Sequence, residues 1–103
     1  MKRVKLGHHY YHVISMEEAK SGKFRGKNVV VEGVVSDKPV IEFLPMELPS
    51  YRATFYVDKL RVEFPGTPCL KKGEHVKVYG RLLNGEIMAV AVETDGVMFM
   101  VEE

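Results

Sequence analysis

Residues 8 to 12 read His-His-Tyr-Tyr-His, three imidazoles and two phenol rings in five consecutive positions. Imidazole nitrogens ligate zinc, and on a helix His8 and His12 would share one face at the i, i+4 spacing of zinc pairs. In an extended chain the same residues offer other chemistry. His8, Tyr10 and His12 then lie on one side of the strand, and His9 and Tyr11 on the other. Flat rings stack on nucleobases, and imidazoles gain charge below about pH 6.5. His8 and His12 would be four residues apart at ~3.3 Å each, too far for one metal ion without a bend. Only His75 and Cys69 remain to complete a site, so no metal is expected.

A second set of candidates comes from strand alternation. In 51–58, Arg52, Thr54 and Tyr56 share one face, and Tyr51, Ala53, Phe55 and Val57 the other. In 59–64, Lys59, Arg61 and Glu63 point away from Leu60, Val62 and Phe64. In 75–83, His75, Lys77, Tyr79 and Arg81 alternate against Val76, Val78 and Gly80. Cations bind phosphates and a ring stacks on a base, so this mixture suits a single nucleic-acid strand. The candidate binding set is Arg52, Tyr56, Lys59, Arg61, Lys77, Tyr79 and Arg81, with Tyr10 and Tyr11 from the aromatic stretch. The competing reading is an ordinary solvated face held by cross-strand pairs.

The elements that must position these groups are mostly strands. Apolar residues alternate with period two over 27–37, 51–58, 59–64, 75–83 and 86–94, and 97–101 reads as a further strand. Asn84-Gly85 and Asp95-Gly96 are turn signals between such runs. One helix is expected. Ser15, with Glu18 three residues on, forms a capping box; Ile14 and Ala19 take the staple positions and Gly22 supplies a stop. Two segments share a pattern: Gly26, Val29, Val31, Gly33 and Val35 match Gly73, Val76, Val78, Gly80 and Leu82 in spacing. A glycine inside a strand marks a bulge, a tight bend or the close approach of another backbone, as a small curved barrel requires.

The stretches "GKNVVVEGVVSDKP" and "LKKGEHVKVYGRLLNGEIMAVAVE" resemble the first strand and the fourth-to-fifth hairpin of OB-fold domains, nearest to the anticodon-binding and replication protein A types. The resemblance covers roughly residues 14 to 94. It implies an all-β chain: a five-stranded Greek-key barrel with a short N-terminal helix and an added C-terminal strand. It also implies that strands two and three carry the ligand face. The link "PGTPCLKKG" departs from the family, being too short and too rich in Pro and Gly for the usual helix. The segment 54–82 is also similar to the haem chaperone of cytochrome c maturation, another OB barrel. That family attaches haem through a histidine near its C-terminus, and here no histidine follows His75. No cofactor is expected.

Residues 36–50 form a long loop with three prolines and six large apolar residues. It reads either as a plug over one end of the barrel or as an apolar patch for a partner, the plug being favoured. The apolar 97–101 strand is buried on both sides or lies at a subunit contact. Cys69 reads as a small buried hydrophobe.

At 103 residues, with 46% hydrophobic and 28% charged, the chain is expected to form one soluble domain, residues 1–103, with 1–14 as an N-terminal arm. One cysteine, no secretory leader and no membrane span point to the cytoplasm. The absence of Gln, the two Asn and the abundance of Lys and Glu suggest a thermophilic source. Residues 1–27 hold seven Lys/Arg and two Glu, and residues 28–103 eight Lys/Arg and twelve Asp/Glu. That basic arm on an acidic body is either an electrostatic footprint or a solvated tail. No phosphate loop, nucleophile elbow, HExxH or CxxC occurs, so no enzyme is expected. The expected function is binding of single-stranded DNA or RNA. The alternative is a protein-interaction module, a dimer or adaptor using 36–50 or 97–101.

Overall fold

The computed structural model describes residues 2–48 and 50–101. Among them run nine strands: β1 (Arg3–Leu6), β2 (His9–Val13), β3 (Asn28–Val34), β4 (Val40–Leu44), β5 (Ser50–Val57), β6 (Leu60–Pro65), β7 (His75–Leu82), β8 (Glu86–Thr94) and β9 (Val97–Met100). One helix, α1 (Met16–Ser21), sits between β2 and β3. The chain is all-β, as its periodicity requires. β1 and β4 lie beyond the expected strands, and β2 falls in the aromatic stretch read as extended.

The single sheet runs β1-β2-β3-β7-β8-β6-β5-β4, with β9 on β8. β3 and β7 pair antiparallel from Asn28–Arg81 to Val34–His75. β6 meets β8 in parallel and β5 in antiparallel register. An isolated bridge, Val35–Val57, brings the end of β3 against β5. It is reinforced by Ser36 N–H donating to Tyr56 O at 2.8 Å and Asp58 N–H donating to Val34 O at 3.2 Å.

Alternation puts one face of β3, β5, β6, β7 and β8 into a common core. Val29, Val31, Phe55, Val57, Val62, Val76, Val78 and Ile87 are at most 2% exposed. Leu60 and Phe64 join them at 2% and 3%, so the inward set of β6 falls where its alternation predicts. α1, Phe24 and Leu70 pack on the same core. The capping box forms as expected: Glu18 N–H donates to Ser15 Oγ, Ser15 N–H donates to Glu18 Oε1, and Gly22 closes the helix at φ 86°. Lys20 of α1 reaches the Asp58 carbonyl and ties the helix to the β5–β6 turn.

The mid-strand glycines are where neighbouring chain comes too close for a Cβ. A Cβ on Gly33 would lie 2.6 Å from Val57 Cγ1 and 2.5 Å from Asp58 Oδ2. On Gly80 it would strike the Met88 carbonyl and lie 2.8 Å from Ala89 Cα, both backbone. The register of β7 on β8 shifts between Tyr79 and Gly80, so Val90 is left over as a bulge.

Four structural expectations are corrected. The segment 1–14 is more than one strand or arm: from residue 3 to 13 it is a hairpin, β1 on β2, and β2 then lies parallel on β3. Gly7, at φ 64°, is the first residue of its two-residue turn. Residues 36–50 do not plug an opening, because β4 pairs along β5 and leaves its apolar side chains in solvent. Lys59 is not in a strand. With Asp58 it forms the β5–β6 turn, at φ 72° and 47°. Cys69 is exposed between buried Pro68 and Leu70.

Gly80→Ala should destabilise the chain by about 1–3 kcal/mol, since the clash is with backbone. Ser15→Ala should cost about 1 kcal/mol. Urea unfolding at neutral pH measures both; a Gly80→Ala protein as stable as the parent would contradict the close approach.

Candidate nucleic-acid interface

The outer face of β5, β6 and the start of β8 is the surface expected to bind. Cross-strand registry places Tyr56 beside Arg61 and Arg61 beside Glu86, with Thr54, Glu63 and Met88 in the next row. Its cations are already engaged. Arg61 contacts Glu63 Oε1 at 2.9 Å and Glu86 Oε2 at 3.6 Å. The hydrogen bond to Glu63, and then the negative charge around it, raise the Arg61 pKa further. Arg52 contacts Glu42 Oε1 at 2.6 Å, and Glu42 belongs to the unexpected β4. Two arginines thus face three carboxylates. Lys59 has left the face for the turn, and Tyr56, 43% exposed, is the open ring that remains.

The outer face of β7 is also engaged. Glu32 lies 3.4 Å from His75 Nε2 and 3.8 Å from Lys77 Nζ. Arg81 Nε–H donates to Gly26 O at 3.3 Å. The Tyr79 hydroxyl donates to Glu93 at 3.4 Å, and burial first, then Glu93, raises its pKa. Tyr11 meets the Tyr79 ring edge-on, centroids 5.9 Å apart at 89°, and is itself only 5% exposed. Tyr11 is therefore no open stacking platform, contrary to expectation, and Tyr79 offers little of one.

The β1–β2 hairpin presents a different surface. Registry pairs Arg3 with His12 and Lys5 with Tyr10, so all four side chains share one face. The Tyr10 ring is 56% exposed. The Arg3 guanidinium carbon is 5.4 Å and Lys5 Nζ 5.8 Å from its centroid. His12 packs on Phe24 at 5.8 Å, and Lys23 Nζ lies 5.8 Å over Phe24. His12 Nδ1 is enclosed without a hydrogen-bond partner among the described residues. Within that set, Lys2, Arg3, Lys5, Lys23, Arg25 and Lys27 also have no carboxylate at ion-pair distance. Sequence reasoning found Tyr10 but missed Arg3 and Lys5 beside it. The signal was there: Arg3-Val4-Lys5-Leu6 alternates, and Gly7 follows as a turn residue.

One other surface stands out. Val40, Ile41, Phe43, Met46, Leu48 and Tyr51 are 43–84% exposed on or beside the β4–β5 ribbon. Phe43 and Tyr51 touch across it, centroids 5.5 Å apart. β9 is less open, since Phe99 and Val101 pack on the core while Val97 and Met100 are each 51% exposed. No three His, Cys, Asp or Glu among the described residues are grouped to hold a metal, so the His8, His9 and His12 cluster gathers no further ligands. No helix of the described residues is long and apolar enough to cross a membrane. The chain matches no family model, no curated protein and no solved structure.

A shallow polar cleft of about 710 Å³ lies between Lys71–His75 and Thr94–Asp95. In it the Thr94 hydroxyl, 2.5 Å from Glu74 Oε2, and then the Lys71 N–H hold the Glu74 pKa below the usual carboxylate value. A lowered folded pKa means that stability is present above the unfolded pKa, about 4.3, and lost as pH falls through the folded value. Thr94→Val should therefore reduce stability at pH 7, and its deficit should shrink in the acid range. Urea midpoints across pH 3–7 test this; a deficit independent of pH would contradict it.

Proposed function

We propose that the chain is a single-stranded nucleic-acid-binding protein built on an OB-type barrel, with the β1–β2 hairpin as its principal contact surface. For the fold, the supporting observation is the pairing of β3, β5, β6, β7 and β8. β3 pairs with β7, β7 with β8, β8 in parallel with β6, β6 with β5, and the Val35–Val57 bridge returns to β3. That circuit supports the reading, since a five-stranded Greek-key barrel of this type needs these neighbours. β1, β2, β4 and β9 are then additions to it.

One observation carries the binding reading: an exposed Tyr10 ring between Arg3 and Lys5, in a region whose cations have no carboxylate partners among the described residues. Phosphates need cations that are not already neutralised, and a base needs an open ring. The β5–β6 face meets the second need through Tyr56 but not the first. Stacking is worth about 1–3 kcal/mol per base, so Tyr10→Ala should weaken binding roughly tenfold. With about four phosphates contacted, log K should fall with log salt at a slope near −3. Arg52→Ala and Arg61→Ala should each change affinity less than Arg3→Ala or Lys5→Ala. Fluorescence anisotropy with poly-dT and poly-U at low salt is the test. No binding to either polymer would refute the reading.

The apolar β4–β5 ribbon favours a second reading, a protein-interaction module working through residues 40–51. β4 is an edge strand whose outer hydrogen-bonding groups lack a neighbouring strand among the described residues, and such an edge invites another chain. Sizing with light scattering should then show a stable assembly that Phe43→Lys disperses. A strictly monomeric protein at tens of micromolar would count against self-association.

A further inference from the structure

A second cavity lies on the opposite side of the same hairpin. It holds about 450 Å³ between the Gly7–His8 turn and the β8–β9 pair, within the size range of small-ligand sites. Its apolar walls include Tyr11, Val90 and Met100, and its polar lining comes from His8, His9 and Asn28. Neither Lys, Arg, Asp nor Glu lines it, so it lacks the lysine or arginine that would hold a phosphate. Two imidazoles and one carboxamide supply both donors and acceptors. The ligand matching this lining is flat, neutral and apolar on its faces, with hydrogen-bonding groups at its edge. That is the chemistry of a nucleobase.

The cavity follows from the backbone. The bulge at Val90 turns an apolar side chain outward, 37% exposed. Val101 N–H donates to Val90 O at 2.9 Å, which holds the chain after β9 beside the bulge. Asn28 begins β3, opposite Arg81. Tyr10 and Tyr11 are consecutive and face opposite sides of β2, one exposed and one buried.

We propose that this cavity takes one unpaired nucleobase from a strand that rounds the Gly7–His8 turn after stacking on Tyr10. The inference rests on the nucleic-acid reading for the strand but assigns a site of its own. Tyr10 is the stacking platform, Arg3 and Lys5 hold the backbone, and the cavity reads a base edge through Asn28 and the two imidazoles.

The test uses the full chain and five probes: a dT 12-mer, a dA 12-mer, an abasic 12-mer of the same sugar-phosphate, and the free nucleosides thymidine and adenosine. Both base-bearing oligomers should bind at least tenfold more tightly than the abasic one. Tyr10 alone would produce that difference, so the variants decide. Val90→Phe, which fills the cavity at an exposed position, should weaken the base-bearing oligomers several-fold and leave the abasic one unchanged. Asn28→Ala, which leaves the space open, should alter the ratio of dA to dT affinity. Oligomer affinities untouched by Val90→Phe, or reduced equally for all three, would overturn the proposal. Nucleoside titration with NMR separates the sources: shifts at His8, His9 and Asn28 without oligomer binding would keep the cavity as a free-nucleoside site and refute the strand reading. Silence in both arms would overturn both.

Discussion

The pairing of β3 with β7 is the constraint on which the rest depends. It is a seven-residue antiparallel ladder, with Val31 opposite Val78 near its middle. Everything else attaches to its two outer edges: β2 and the Val35–Val57 bridge to β3, and β8 to β7. Each strand carries one glycine where a neighbour comes close, Gly33 at the Val57–Asp58 end of β5 and Gly80 at Met88–Ala89 of its partner β8, beside the Val90 bulge. A side chain at either place would hold the neighbour off. Because the strands run antiparallel, the two glycines lie at opposite ends of the ladder, opposite Val76 and Val29. The sheet thus bends at two points on opposite strands, and the inward valines close over one core.

Charge is sorted by the same topology. Antiparallel and parallel neighbours bring Glu42, Glu63 and Glu86 against Arg52 and Arg61, and Glu32 against His75 and Lys77. These exposed pairs add little stability. Their larger effect is to cancel a positive field on the faces where strand alternation alone suggests one. The hairpin β1–β2 pairs in the sheet with β3 alone among the described strands, and none of its cations has a carboxylate at ion-pair distance among the described residues. Arg3 and Lys5 also sit on an outermost strand, where charged residues discourage edge-to-edge pairing. β4 at the other end of the path has only Glu42 for that purpose.

Much of the fold was legible in the sequence because burial imposes period two. The inward sets of β5, β6 and β7, the Ser15 cap and the close approaches at the glycines all follow from residue type and spacing. β4 was hidden because Pro39 and Pro45 flank an apolar run with no polar alternation; on an edge strand neither proline breaks a ladder. The Asp58-Lys59 turn was hidden because lysine seldom takes positive φ. The binding candidates were harder. Alternation says which way Arg61 points, but Glu86 lies beside it only because β6 and β8 pair in parallel across 25 positions of chain. Tyr10 and Tyr11 are adjacent letters, and only the docking of β2 on β3 decides which is open and which is covered.

The central ladder also sets how the chain reaches its native state. Val31 and Val78 are 47 positions apart, with two hairpins between them. Closing a loop of that length costs on the order of 3 kcal/mol of chain entropy beyond a constant. No local element repays it until the valines of both strands meet. The β5–β6 and β7–β8 hairpins, with turns of a few residues, can form early and cheaply. Folding is therefore limited by a long-range encounter rather than by local structure, and topology of this kind places it among slow-folding β proteins, on the millisecond-to-second scale. Until that encounter the apolar β4 edge has no assembled sheet behind it, so the interval before β3 finds β7 is also when the chain is most exposed to pairing with its neighbours.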